Sequence, residues 1–238
     1  MDFIPCDKCE NGWKFSEDGY AIKCDCLKQF QKNSTISLFK SKASIEEHNC
    51  FTKDLKIKDE DLLSKIRYYS SNLDGKTSKN CHLYFYGKNN CSKSFTAKSI
   101  LLDACEKSIN CKFITMGDLL ELITDSFADE EKKKIIDSYL NCKLLVIDDS
   151  FDKNKCTVFR SGFQLGYIDR FLRKRLETLQ LNTIFTSNVK IEDIEKNGFS
   201  YDLQNLIERT ILLRKGFLEF KDIFVAEENN IDIKSIWD

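Results

Sequence analysis

HLYFYGKNNCSKSFTAKSILLDACEKS, residues 82–108, is the stretch on which the fold turns. Residues 82–87 form an apolar, aromatic run that ends in glycine and reads as a strand. Residues 92–108 place apolar side chains at helical spacing. Between them, GKNNCSKS (87–94) follows the pattern G-x-x-x-x-G-K-[ST], with Ser92 in place of the second glycine. A loop of this kind, between strand and helix, wraps a phosphate in backbone N–H groups and sets it on the positive helix N-terminus. Gly87, Asn90 and Ser92 are expected to shape it, and Asn89 and Asn90 tolerate left-handed backbone. Lys93 supplies a cation, and the Ser94 hydroxyl a ligand for Mg²⁺.

The downstream sequence alternates in the same way. CKFIT (111–115) reads as a strand, GDLLELITDSF (117–127) and EEKKKIIDSYL (130–140) as helices, and KLLVIDD (143–149) as a buried strand. GYIDRFLRKRLETLQ (166–180) is a further helix and NTIFTSN (182–188) a fourth strand. Strands alternating with helices predict an α/β fold with a parallel sheet flanked by helices. Two more strand ends carry polar groups. Asp148 is expected to hold Mg²⁺ and Asp149 to polarise an attacking water, while Asn188 would orient that water beside the terminal phosphate. Three such signals at three strand ends, in this order, predict ATP binding.

Upstream lies a different kind of sequence. Cys6, Cys9, Cys24 and Cys26 form C-x-x-C and C-x-C, enough thiolates to close a tetrahedral Zn²⁺ site. The spacer between the pairs reads as a hairpin turning at Glu17–Gly19. Residues 1–35 are therefore expected to be a zinc-binding module, 36–78 a helical linker centred on DEDLLSKIRYYSSNL (59–73), and 79–238 the nucleotide-binding domain. Cys50, Cys81, Cys91, Cys105, Cys111, Cys142 and Cys156 lack ligand spacing and read as buried thiols; His48 and His82 read as structural.

Composition narrows the function class. The 238 residues carry a formal net charge of −1, far from the strongly basic balance of proteins that grip nucleic acid by bulk electrostatics. No apolar run approaches the roughly 20 residues that cross a bilayer, and the N-terminus shows no leader pattern, so a cytoplasmic protein without membrane contact is expected. Eleven cysteines in a reducing compartment favour thiols and metal ligands over disulfides.

Taken together, the cysteine module, LYFYGKNNCSKSFTAKSILLDAC, KFITMGDLLELI, KLLVIDD, NTIFTSN and LIERTILLR resemble the AAA+ helicase loaders of bacteria and phages, the DnaC/DnaI group, and the related transposition ATPase IstB, over about residues 5–220. The resemblance implies an AAA+ core with a reduced lid, consistent with the 50 residues that follow Asn188. It implies ATP-driven placement of the replicative hexameric helicase on single-stranded DNA, with self-association through ATP-dependent interfaces. It also implies an arginine reaching a neighbouring subunit's nucleotide, matched by Arg209, with Arg214 as the alternative. Arg170, Arg173 and Arg175 read as a solvated basic face. The departure from the family's loop is Ser92, whose side chain costs about 1 kcal/mol at positive φ and predicts slow hydrolysis. A transposition ATPase and a non-hydrolysing adaptor are the alternative readings.

Overall fold

Within the apolar strands, successive side chains point to opposite faces, and the fold follows from where the two sets go. The structure, a computed structural model, describes residues 3–73, 80–127, 129–152, 162–212 and 216–220. Strands β3 (Leu83–Gly87), β4 (Cys111–Thr115), β5 (Leu144–Asp148), β6 (Asn182–Ser187) and β7 (Phe217–Phe220) form one sheet in the order β4-β5-β6-β3-β7. Every pairing in it is parallel. Leu83, Phe85, Leu144, Val146 and Ile184 face one side, where they meet Ala97, Ile100 and Leu101 of α3 (Lys93–Glu106). Tyr84, Leu145, Ile147 and Phe185 face the other. There they pack with α4 (Met116–Asp125), α5 (Glu130–Asn141), α6 (Gly162–Arg173) and α7 (Tyr201–Ile211). A parallel sheet covered on both faces buries β5 and β6 completely, as their continuous apolar runs require.

The sheet has one more strand than the periodicity suggested. β7 pairs with β3, so the strand ending in Ser187 is not the last. FLEF is only four residues long and gains strand character from its neighbour. The approach is close: a Cβ built on Gly87 would stand 2.4 Å from the Phe220 carbonyl oxygen. Gly87 is thus required by the β3–β7 contact as well as by the loop that follows it.

At the N-terminus, β1 (Trp13–Phe15) and β2 (Ala21–Lys23) form the expected antiparallel hairpin. α1 (Asp25–Ala43) follows and runs unbroken through residue 35, where the sequence suggested a boundary. It closes at Ser44, in left-handed conformation, whose N–H reaches back to Ser41 while Ile45 N–H reaches Lys40. Only Ala43 of α1 is buried, which leaves little apolar periodicity in the sequence to announce the helix. α2 (Glu60–Ser71) begins at Asp59, whose side chain accepts the Leu62 N–H. Ile45, Leu55, Leu62 and Ile66 share one apolar cluster with Ile100 and Leu101, so the stretch after α1 is packed into the core.

Candidate functional site

β3 delivers the chain to a loop whose backbone takes two left-handed steps, φ +63° at Asn90 and +57° at Ser92. Asn90 tolerates such a step; Ser92 does so at a cost glycine would not bear. α3 begins at the next residue, and Ser92 makes no side-chain cap. α2, α4, α5 and α7 are each capped by a side chain: Asp59, Thr115, Asp129 and Ser200. The first turn of α3 also lacks an acidic residue. Its opening N–H groups thus face the loop without a built-in anion, which is how helix N-termini receive phosphate.

The side chains named from the sequence meet here. Lys93 is 7% exposed, and its ammonium donates to Gly87 O at 2.9 Å, Lys88 O at 2.6 Å and Asn188 Oδ1 at 3.0 Å. Asn188 Nδ2 donates to Asn89 Oδ1 at 2.7 Å, joining the loop to the end of β6. On the other side, Ser94 Oγ donates to Asp148 Oδ1 at 2.6 Å. A hydroxyl beside a carboxylate is a pair of hard oxygen donors that suits Mg²⁺. Asp149 follows at φ +50°, a conformation Asp visits more readily than most residues, and is half-buried.

Thr186 was not singled out in the sequence, although it begins the TSN stretch that ends β6. Its hydroxyl donates to Asp148 Oδ1, and the Asp149 N–H donates to that hydroxyl at 3.2 Å. One side chain thus holds both acids at the end of β5. The signal was present as a threonine two residues before Asn188, but β5–β6 adjacency is what gives it meaning.

Arg209 lies on α7, half-exposed, in an ion pair with Glu177. Arg214 is outside the described residues. The basic face proposed for Arg170, Arg173 and Arg175 is corrected. Arg170 is exposed, and Arg173 bonds Asp169 at 3.0 Å. Arg175 is fully buried, because α6 continues into a π-helical turn (Lys174–Thr178) whose extra residue rotates it inward. Its guanidinium donates to Tyr139 O, Leu140 O, Asn182 O and Thr183 Oγ1 at 2.7–3.0 Å.

In the N-terminal module the four thiols converge. Sγ separations are 3.7 Å for Cys6–Cys9 and Cys6–Cys24, and 3.4 Å for Cys9–Cys26. All four sulfurs lie within 4.8 Å of one another. Tetrahedral ligands at about 2.3 Å from a zinc ion would stand about 3.8 Å apart, so the arrangement fits a metal. The Cys26 backbone N–H is the strongest influence on Cys24 and holds its thiol down at about 7. Gly12, at φ +89°, closes the knuckle, and its carbonyl accepts the Cys24 N–H at 2.7 Å. A Cβ there would come within 2.8 Å of Leu27. Of the other cysteines, Cys91, Cys105, Cys111 and Cys142 are buried, Cys50 and Cys81 half-buried, and Cys156 lies outside the described residues. No described helix is long and apolar enough to cross a membrane.

Neither a family model nor a curated protein matches the chain. Solved structures do. A Streptococcus pyogenes serotype M3 protein, described as a candidate primosome component, superposes with TM-score 0.57 at 16% identity, over 79% of this chain and 97% of its own. DnaI gives 0.55 at 17%, over 74% and 89%. The DnaC helicase loader gives 0.51 at 19%, over 70% and 90%. The chain shares the α/β fold of these three structures.

Proposed function

We propose that this chain is an ATP-switched loader that recruits a replicative hexameric DNA helicase and places it on single-stranded DNA in the cytoplasm. The observation that carries the reading is the hydrogen-bonded chain at the carboxyl ends of three strands. It runs from Asn89 through Asn188 to Lys93 at the loop, with Ser94, Asp148 and Thr186 beside it. Ligands of open α/β sheets bind at such strand ends. The fold shared with the DnaC helicase loader supports a role in starting DNA replication.

In this reading the loop N–H groups and Lys93 hold the β- and γ-phosphates. Ser94 and Asp148 hold a Mg²⁺, which would supply positive charge against the phosphate oxygens. Asp149 polarises the attacking water, and Asn188 orients it. Gly87 and Asn90 set the loop's path, and Ser92 keeps turnover slow. Arg209 serves the nucleotide of a neighbouring copy, so that self-association and ATP are coupled. Zn²⁺ on Cys6, Cys9, Cys24 and Cys26 holds the hairpin, which exposes Trp13, Phe15, Tyr20 and Ile22. Exposed apolar side chains gathered on one small module are suited to a protein partner.

The test starts with nucleotide binding by the full chain, measured with a fluorescent ATP analogue. Lys93→Ala should abolish it, because the ammonium at the loop is lost. The second arm asks whether the chain co-purifies with the replicative helicase and stimulates its unwinding of DNA carrying a single-stranded gap. Binding by Lys93→Ala equal to wild type would remove the site. Intact nucleotide binding without helicase contact would remove the loader assignment.

A further inference from the structure

Thr186 is 1% exposed, yet its hydroxyl lies among the groups assigned to the nucleotide. The strand order puts it there. In the parallel β5–β6 ladder the last paired positions are Ile147 and Phe185, so Asp148 and Thr186 stand side by side one step further on. Side chains alternate along a strand, so Thr186 shares the face of Ile184 and Asp148 that of Val146, the face that α3 covers. Ser94, in the first turn of α3, completes the group.

The roles of the atoms are fixed. A carboxylate accepts, and a hydroxyl carries one proton. Ser94 and Thr186 each spend that proton on Asp148 Oδ1. A backbone N–H only donates, so the Asp149 N–H, 3.2 Å away, uses Thr186 Oγ1 as its acceptor. Thr186 O takes the next N–H, that of Ser150, at 2.7 Å. Thr186 thus grips the chain on both sides of the left-handed step at Asp149, φ +50°. We infer that Thr186 is a positioning residue: through one hydroxyl it orients Asp148 toward the divalent cation and Asp149 toward the attacking water, and so sets how strongly Mg²⁺ acts on bound nucleotide. The inference rests on the proposed nucleotide site and deepens it. Without the hydroxyl, Asp148 keeps only the Ser94 proton on Oδ1, and the Asp149 N–H loses an acceptor. The phosphate contacts belong to the loop N–H groups and to Lys93, whose ammonium is held by Gly87, Lys88 and Asn188, so they should survive.

The experiment titrates Mg²⁺, starting from EDTA, against binding of the non-hydrolysable analogue AMPPNP to the full chain. Thr186→Val keeps the shape and removes the hydroxyl. It should raise the Mg²⁺ midpoint about ten- to hundredfold, the usual effect of losing a partner that orients a metal ligand. AMPPNP affinity in EDTA should stay at the wild-type value. Thr186→Ser restores the hydroxyl and should bring the midpoint back toward wild type. In an Asp148→Asn background, Thr186→Val should shift the midpoint no further, because the group it orients is already lost. With ATP at saturating Mg²⁺, Thr186→Val should lower kcat and leave KM in place, as a mis-set Asp149 requires. A midpoint unmoved by Thr186→Val, or moved equally by valine and serine, overturns the inference. So does an equal loss of affinity in EDTA and in Mg²⁺, which would mark a general change of site shape. Failure of both Thr186→Val and Thr186→Ala to fold, seen by circular dichroism, would overturn it too and assign Thr186 to the core alone. If wild type binds AMPPNP neither with nor without Mg²⁺, the phosphate site itself fails and the inference falls with it.

Discussion

Replacing Arg175 with methionine tests the reassignment of this residue from a solvated face to the interior. Tyr139 and Leu140 belong to the last turn of α5, whose carbonyls have no partner inside the helix. Arg175 bonds both, at 3.0 and 2.7 Å, and then Asn182 O at 2.8 Å and Thr183 Oγ1 at 2.9 Å at the start of β6. Methionine fills much of the volume but donates nothing, leaving three buried carbonyls without this donor. At about 1–1.5 kcal/mol each, the loss is about 3–5 kcal/mol, a large share of a domain's stability. For a chain of this size that lowers Tm by about 6–20 °C. Arg175→Lys should recover only a small part, because one ammonium cannot span four acceptors. Thermal and urea denaturation followed by circular dichroism make the measurement, with Arg170→Met as the exposed control. A Tm for Arg175→Met within about 2 °C of wild type, matching the control, would return Arg175 to the surface and refute the π-turn argument.

Metal analysis of the purified chain should find one Zn²⁺, and the double substitution Cys24→Ser, Cys26→Ser should abolish it; equal zinc in both proteins would reject the thiolate site. Ser92→Gly should raise ATP turnover with little change in Tm, because relief of about 1 kcal/mol at φ +57° is offset by glycine's freer unfolded chain. An unchanged or lower rate would mean that the loop is adapted to serine. His48 contributes a pH dependence. Burial is the largest influence and holds its imidazole at about 4, while Nε2 meets Cys50 O and Ser99 Oγ. The unfolded chain, with a histidine near the ordinary 6.5, takes up the proton first, so this stabilisation is present above about pH 6.5 and is lost as pH falls toward 4. His48→Gln should flatten the slope of denaturation free energy in that window relative to wild type; parallel curves would show that His48 does not carry it.

The parts of this protein that depend on short-range periodicity are legible along the chain without knowledge of its packing. Continuous apolar runs at 82–87, 143–149 and 182–188, each separated by helical spacing, admit little except a parallel sheet covered on both faces. The loop at 87–94 and the acids at 148–149 stand at the ends of such runs, so their approximate location at one edge of the sheet followed from strand direction alone. C-x-x-C and C-x-C with an intervening hairpin likewise specified the convergence of four sulfurs, because the hairpin returns the chain to its start.

Tertiary structure decided what depends on partners far away in the chain. FLEF becomes β7 only because β3 offers an unpaired edge and Gly87 allows the approach. α1 has little apolar face, and packing beside α3 gives it a place, with Lys32 and Glu106 paired across the contact. Arg175 looks like its neighbours Arg170 and Arg173 until one π turn changes its direction by a residue's rotation and the end of α5 supplies acceptors. Thr186 and Asn89 have meaning only through the strand order, which sets β6 between β5 and β3. That order brings Thr186 to Asp148 and Asn188 to Asn89. Periodicity records which way a side chain points; the choice of neighbouring strand, made by the collective packing of two apolar faces, decides what it meets.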